Sequence, residues 1–141
     1  MLAVTVLLPG LVLRVATPPV HQVVGGDAAL WRSGGQVLLV LGGRTDEGDL
    51  LQGLREAGVT GLDVVVCRSS AGTFHQVVAD LRRRYGGFTV LAPVAGGLVG
   101  AVEPADGSVL RVGALVGHLD VSPDAIEIEV GPASGDGAGP V

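Results

Sequence analysis

The sequence contains one cysteine, Cys67, and no lysine, since all 9 of its basic residues are arginines. A single cysteine excludes an internal disulfide and a cysteine-rich zinc site. The 14 acidic residues bring the formal net charge to −5, which argues against a broad nucleic-acid-binding face. The 141 residues are 48% hydrophobic, enough for one domain with a substantial core.

The apolar stretches are short, and none reaches the roughly 20 residues that cross a bilayer. Pro9 and Gly10 interrupt the opening MLAVTVLLPG. We expect residues 1–13 to be either a strand of the core or the last turns of a membrane helix that begins outside this chain. The ending GPASGDGAGPV has the composition of a disordered tail, which we assign to residues 132–141. One domain is therefore expected over residues 14–131.

Strand and helix patterns alternate in the middle of the chain. A hairpin is predicted first, from strands over residues 28–32 and 37–41. A helix follows over residues 46–57, with acidic residues in its first turn and Gly58 as its stop. LDVVVC indicates a strand buried on both faces, and FTVLAP indicates a further short strand after a second helix. This order implies parallel strands joined by helical crossovers.

The second helix has the clearest pattern in the sequence. Its apolar residues recur at helical spacing and form one stripe: Phe74, Val77, Val78, Leu81 and Tyr85. Thr73 followed by Gln76 predicts a capping box at the start of the helix, and Gly86 predicts its end. A basic cluster in the last turn complements the helix dipole, and it consists of Arg82, Arg83 and Arg84.

Beyond Pro93 the pattern changes to β-strands alone. SVLRVGALV is typical of strand structure. In AIEIEVG, the apolar residues Ile126 and Ile128 alternate with Glu127 and Glu129. This alternation predicts a half-exposed, antiparallel strand.

The loop CRSSAG lies between a buried strand and the second helix. In α/β folds this position carries chemistry, because backbone amides and the helix dipole converge there. The loop nevertheless contains neither a carboxylate nor a histidine. Cys67, at its start, is expected to be a small buried hydrophobe. The alternative is a nucleophilic cysteine with His75 as its base.

Three segments carry a resemblance to a known family: VVGGDAALWRSGGQVLLVLGG, LLQGLREAGVTGLDVVVC and VVADLRRRYGGFTVLAP. Their order resembles the metallo-β-lactamase fold, and more specifically the extracytoplasmic domain of ComEC/Rec2 competence proteins, which take up DNA. The resemblance spans residues 14–92. It implies an α/β fold class, namely a shortened metallo-β-lactamase-like fold with a mixed β-sheet flanked by helices.

The metal-ligand motifs of that family are replaced in this sequence. The family's D-V-G-Q-G-D-A motif is matched only at Gly26, Asp27 and Ala28. Its I-D-G-G motif falls on Leu41 and two glycines, and its S-H-P-H-x-D-H run begins at Cys67. The four ligand positions of that run hold Arg68, Ser70, Gly72 and Thr73. These residue types bind divalent metals poorly, so we interpret the loop and Leu41 as a former metal site.

Because these motifs are replaced, we expect a non-catalytic module, a pseudoenzyme without catalytic residues, metal ligands or a cofactor. The resemblance itself implies a role in DNA uptake at the cell envelope, with a membrane channel protein or domain as partner. DNA is expected to bind weakly, through phosphate contacts of Arg82, Arg83 and Arg84. We identify no small-molecule substrate.

Two alternative functions remain open. A metal-dependent hydrolase or nuclease would require ligands relocated to other segments, with the candidates His21, His75, His118 and Asp27. Asp27 is otherwise interpreted as a turn residue that precedes a strand. A small anion-binding module would use the backbone amides of a glycine-containing loop between strand and helix, at Gly42, Gly43 and Thr45.

Overall fold

A computed structural model describes residues 4–8, 11–15 and 20–132, with side chains from residue 21 onward. Within these ranges it has two α-helices, α1 (Glu47–Glu56) and α2 (Thr73–Tyr85), and one short 3-10 helix, Val94–Gly96. Its strands are β1 (Val4–Leu8), β2 (Leu11–Val15), β3 (Val20–Val24), β4 (Ala28–Ser33), β5 (Gln36–Leu41), β6 (Val64–Cys67), β7 (Thr89–Leu91), β8 (Val109–Val112), β9 (Leu115–Ser122) and β10 (Ala125–Pro132).

The central sheet has five strands in the order β3-β4-β5-β6-β7. The first three strands pair antiparallel, whereas β5, β6 and β7 pair parallel through α1 and α2. The predicted mixed sheet with helical crossovers is thus confirmed. A second sheet, of order β10-β9-β8, is antiparallel throughout, and β1 pairs with β2 in a separate hairpin.

The central sheet is covered on both faces because its strands are apolar on both sides. On one face α1 and α2 enclose a first core, in which Leu39 and Leu41 of β5 lie with Leu81 of α2. On the other face the antiparallel sheet encloses a second core, in which Val40 of β5 lies with Ile126 of β10. The molecule is therefore layered as helices, central sheet and second sheet.

Helix α1 begins and ends as its sequence predicts. Asp46 is the N-cap residue, and its Oδ2 accepts a hydrogen bond from Asp49 N at 3.2 Å. Gly58, just beyond the helix, has a φ of +74°, a conformation that favours glycine.

Helix α2 buries the predicted stripe, but its predicted capping box is wrong. The stripe lies in the first core, with Tyr85 partly buried at its end. Gly72, before the helix, already has helical backbone angles and provides no side-chain cap, so Thr73 is the first helical residue. Thr73 is thus one position too far along the chain to act as N-cap. Gln76 instead donates from Nε2 to Asp80 Oδ2 at 3.0 Å.

The backbone of the apolar opening is extended over Val4–Leu8. In the described ranges, neither α1 nor α2 has the length and apolarity that a membrane-spanning helix requires. The predicted tail lies outside the described residues from residue 133 onward, and β10 extends to Pro132.

Candidate functional site

Two loops follow the carboxyl ends of neighbouring strands of the central sheet and form the candidate site. Leu41 of β5 lies beside Cys67 of β6 in parallel register, so the next residues, Gly42 and Arg68, start the two loops side by side. We call residues 42–46 the first loop and residues 68–72 the second loop. Both lie at the carboxyl ends of parallel strands, the usual place for a site in an α/β fold.

The first loop is built around a carboxylate from the turn between β3 and β4. Asp27 Oδ2 accepts a hydrogen bond from Arg44 N at 3.0 Å, and its Oδ1 accepts one from Thr45 Oγ1 at 3.1 Å. A Cβ on Gly42 would lie 2.6 Å from Asp27 Cγ, so only glycine leaves room for the carboxylate. Asp27 therefore joins its own turn to the first loop.

This arrangement weakens the anion-binding hypothesis for the first loop. The Arg44 amide, which an external anion would require, already donates to Asp27. The adjoining start of α1 is capped by Asp46 and carries Glu47 and Asp49 in its first turn. These negative charges repel a phosphate, and the chain's own carboxylate already occupies the position of an anion.

The second loop is held by the antiparallel sheet. Arg68 O accepts a hydrogen bond from Ile126 N at 2.9 Å, and Ser69 forms an isolated bridge with Ala125. The Arg68 guanidinium donates to Glu127 Oε1 at 2.9 Å in an exposed ion pair. The start of β10 therefore pairs with the second loop as a further strand would.

The residues at the interpreted metal site do not fit a divalent metal. Leu41 is fully buried in the first core and provides no donor atom. Arg68 is a permanent cation, Gly72 has no side chain, and the hydroxyls of Ser70 and Thr73 are neutral donors. Zinc and related metals in proteins are held by imidazole, thiolate or carboxylate groups, and these four positions contain none.

The three histidines lie apart on different elements. His75 on α2 donates from Nε2 to Gly96 O at 2.8 Å. His21 on β3 stacks on Trp31 with 4.0 Å between ring centroids, and His118 lies on β9 opposite Glu129. Within the described part of the chain, no group of three or more His, Cys, Asp or Glu side chains is placed to hold a metal ion. The structure does not bring the proposed relocated ligands together.

Cys67 is a buried free thiol at the end of β6. Burial raises its pKa from 9.0 to about 12, and the nearby Arg82 charge lowers it only partly. A thiol with this pKa is protonated at neutral pH and is a poor nucleophile. The interpretation of Cys67 as a small core residue agrees with its position.

The arginine cluster at the end of α2 is less available than its sequence suggests. Arg82 donates from a guanidinium nitrogen to Val99 O at 2.9 Å, and Arg83 forms an ion pair with Asp80 one turn earlier. Arg84 is exposed. The Asp80 carboxylate thus offsets the charge of Arg83, and one nitrogen of Arg82 is held by Val99 O, which leaves fewer donors for phosphate.

The sequence pattern does not identify the side-chain partner of Arg68 in the second loop, which is Glu127. The alternation in AIEIEVG indicated that Glu127 faces outward, and this is confirmed. The pattern contains no signal for its partner, because Arg68 lies 59 residues earlier in the chain.

Comparison with solved structures identifies the class of fold. A metallo-β-lactamase HARLDQ motif mutant, S60, from Cronobacter sakazakii matches with a TM-score of 0.58 and 15% identity, covering 77% of this chain and 53% of that chain. MEM-A1, a subclass B3 metallo-β-lactamase isolated from a soil metagenome library, matches with a TM-score of 0.59 and 19% identity, covering 78% of this chain and 52% of that chain.

The chain therefore has a metallo-β-lactamase-like fold, in agreement with the fold class expected from its sequence. It spans about half the length of the solved structures it matches. No protein-family model matches the sequence, and no curated protein matches it significantly. At these identities the likeness concerns the fold, and activity has to be argued from the residues of the site.

Proposed function

We propose that this chain is a non-catalytic metallo-β-lactamase-like domain that acts as a structural or interaction module in DNA uptake at the cell envelope. The role in DNA uptake is supported by the resemblance of its segments to the ComEC/Rec2 extracytoplasmic domain. The absence of catalysis is supported mainly by Arg68, which stands where the ligand run of that family has its first histidine.

The environment of Arg68 supports this proposal. Its side chain is paired with Glu127 of the antiparallel sheet, while its backbone pairs with Ile126. A guanidinium group remains charged at all physiological pH values and repels a divalent cation at the same place. The second loop has thus gained a contact with the neighbouring sheet where a metalloenzyme would place a ligand.

A metal-binding measurement tests the absence of catalysis. We would dialyse the purified protein against zinc or manganese, measure bound metal by elemental analysis, and assay cleavage of DNA and of a phosphodiester. The expected result is substoichiometric metal and no cleavage. A variant with the family's ligand run restored, Arg68→His, Ser70→His, Gly72→Asp and Thr73→His, serves as the matched control for metal detection.

Bound metal together with cleavage would contradict the proposed absence of catalysis. About one equivalent or more of tightly bound metal in the unaltered protein, with cleavage abolished by a chelator, would overturn the proposal in favour of a hydrolase with relocated ligands.

A salt titration tests the contact with DNA. Three arginines release at most about three counterions, so binding to duplex DNA should be weak and disappear near physiological salt. The fluorescence anisotropy of labelled duplex DNA should rise less with the Arg84→Glu variant than with the unaltered protein. Arg111→Glu, an exposed position on β8 with the same change in charge, is the control and should leave the rise nearly unchanged. Tight binding at physiological salt, or a preference for one sequence, would contradict weak phosphate contact.

A further inference from the structure

The outer edge of β10 is open over most of its length. Strand β10 stands at the end of its sheet, and Ile126 N points away from β9 to Arg68 O. Because backbone direction alternates along a strand, the N–H groups of Ile128 and Val130 point the same way. Pro132, which has no N–H, occupies the next position whose nitrogen points away from β9, as expected for an edge strand. In the described ranges, no strand pairs with this edge beyond the second loop.

An apolar groove lies between this edge and the central sheet. It has a volume of about 160 Å³, and it is lined by Ala29, Trp31, Val40, Arg68, Ile128 and Val130. These apolar residues belong to the margin of the second core, where they are only partly buried except for Val40. The two sheets thus separate on this side and leave the only tryptophan of the chain partly uncovered.

The opposite face of β10 is acidic. Glu127 lies beside Asp120, and Glu129 lies beside His118, so one face of β9 and β10 carries three carboxylates. A strand added to the open edge would therefore meet two environments in alternation. Its residues opposite Ile128 and Val130 would face the apolar groove, and its neighbouring residues would face the glutamates.

We propose that this open edge and groove bind a β-strand of another polypeptide in which apolar residues alternate with lysine or arginine. The strand would form backbone hydrogen bonds with Ile128 and Val130 and cover Trp31 with its apolar side chains. Its basic side chains would pair with Glu129 and lie near Glu127, whose carboxylate already forms an ion pair with Arg68. This inference goes beyond the proposed function and does not depend on whether the chain is catalytic.

A second copy of this chain does not suit the edge. Two β10 strands could pair antiparallel with nearly their full lengths overlapping and their apolar faces on the same side. In that arrangement Glu127 of one copy would lie opposite Glu129 of the other. Like charges directly opposite each other on a sheet are destabilising. The acidic face therefore selects a basic partner over the chain itself.

A peptide titration tests the proposal on the whole chain. The probe is a synthetic peptide of alternating lysine and valine, about seven residues long, close to the length of an ordinary strand. Its binding should shift the Trp31 emission to shorter wavelength, and it should slow hydrogen exchange at the Ile128 and Val130 amides. A peptide with glutamate in place of each lysine is the control and should bind much more weakly.

Two variants locate the binding. Glu129→Lys should weaken binding of the lysine peptide about fivefold and strengthen binding of the glutamate peptide. Glu103→Lys, an exposed loop position with the same change in net charge, should leave both affinities near their original values. Val130→Pro removes an N–H that faces away from β9, and it should abolish binding while the circular dichroism spectrum is retained.

Three results would overturn the proposal. The first is slow exchange of the Ile128 and Val130 amides in the protein alone, which would mean that its own residues already cover the edge. The second is a concentration-dependent dimer that Val130→Pro disrupts, which would make a second copy the occupant. The third is equal binding of the two peptides, or equal effects of Glu129→Lys and Glu103→Lys.

Discussion

The first and second loops begin side by side at one edge of the central sheet, yet they are fixed in different ways. The first loop surrounds the Asp27 carboxylate, which contacts Arg44 and Thr45 and requires a glycine at position 42. The second loop is joined to β10 through Arg68 and Ser69. Similar positions after parallel strands can thus be stabilised by an internal carboxylate or by a neighbouring sheet.

The difference predicts unequal sensitivity to substitution. The first loop depends on close packing around one side chain, and such packing tolerates little added volume. The second loop depends on backbone pairing, which survives most substitutions, and on an exposed ion pair, which contributes little. Four measurements test whether the two loops are stabilised in these different ways.

The largest effect is expected for Gly42→Ala. The new Cβ would lie 2.6 Å from Asp27 Cγ and displace the carboxylate from its hydrogen bonds. We expect the free energy of unfolding to fall by about 2 kcal/mol, measured by denaturant titration. The matched control is Gly43→Ala, whose Cβ would meet only Ser69 Oγ, at 3.9 Å. Equal effects at both glycines would contradict the role assigned to Asp27.

A smaller effect is expected for Asp27→Ala, about 1 kcal/mol, because the lost hydrogen bonds are exposed to solvent. The informative measurement is the double variant with Gly42→Ala. Once the carboxylate is removed, the alanine at position 42 has room, and the second substitution should cost less than about 0.5 kcal/mol. Additive effects of the two substitutions would show that Asp27 and Gly42 act independently.

For the second loop, the coupling between Arg68 and Glu127 should be about 0.2–1 kcal/mol in a double-mutant cycle with alanine. Both side chains are substantially exposed, at 45% and 66%, so water and salt screen their attraction. The coupling should decrease further at high salt. A coupling above about 2 kcal/mol would mean that the ion pair holds the second loop more firmly than Asp27 holds the first.

The smallest effect is expected for thiol reagents acting on Cys67, the last residue of β6, directly before the second loop. Iodoacetamide should not modify Cys67 in the folded protein at a pH of about 8, but it should do so after unfolding. The unfolded thiol loses its proton near pH 9.0, whereas the folded thiol keeps it until about pH 12. The thiol therefore adds no pH dependence to the free energy of unfolding below about pH 9, and it lowers that free energy as the pH rises from about 9 to about 12.

The control for this pH dependence is Cys67→Ala, which should remove the part of the alkaline decrease that the thiol causes. Rapid alkylation of the folded protein would instead show an accessible, activated cysteine and revive its interpretation as a nucleophile.

Periodicity predicted much of the fold. The stripe from Phe74 to Tyr85 predicted α2 and its buried face, and the continuous apolar run before Cys67 predicted a strand buried on both sides. These patterns are local, because a helix or strand repeats every few residues. The capping box at Thr73 failed because it depends on the backbone angles of Gly72, which residue types alone do not specify.

The candidate site was predicted less completely. The sequence indicated that the second loop has no metal-ligand residues, and it marked Asp27 as a turn residue. It did not indicate that Asp27 occupies the first loop or that Arg68 pairs with Glu127, since these contacts join residues 17 and 59 positions apart. Such contacts depend on the register and packing of strands, which local spacing does not specify.

Local spacing and residue type were enough to predict the main helices and strands, their order and the chemical character of each loop. Three features follow only from the tertiary structure: the contact of Asp27 with the first loop, the pairing of β10 with the second loop, and the groove at the margin of the second core. Those outcomes depend on the register between strands and on how two sheets pack, and no local pattern encodes either. The groove beside β10 is the clearest example. Trp31, Ile128 and Val130 look like ordinary strand residues in the sequence, and only the packing of the two sheets places them in one groove.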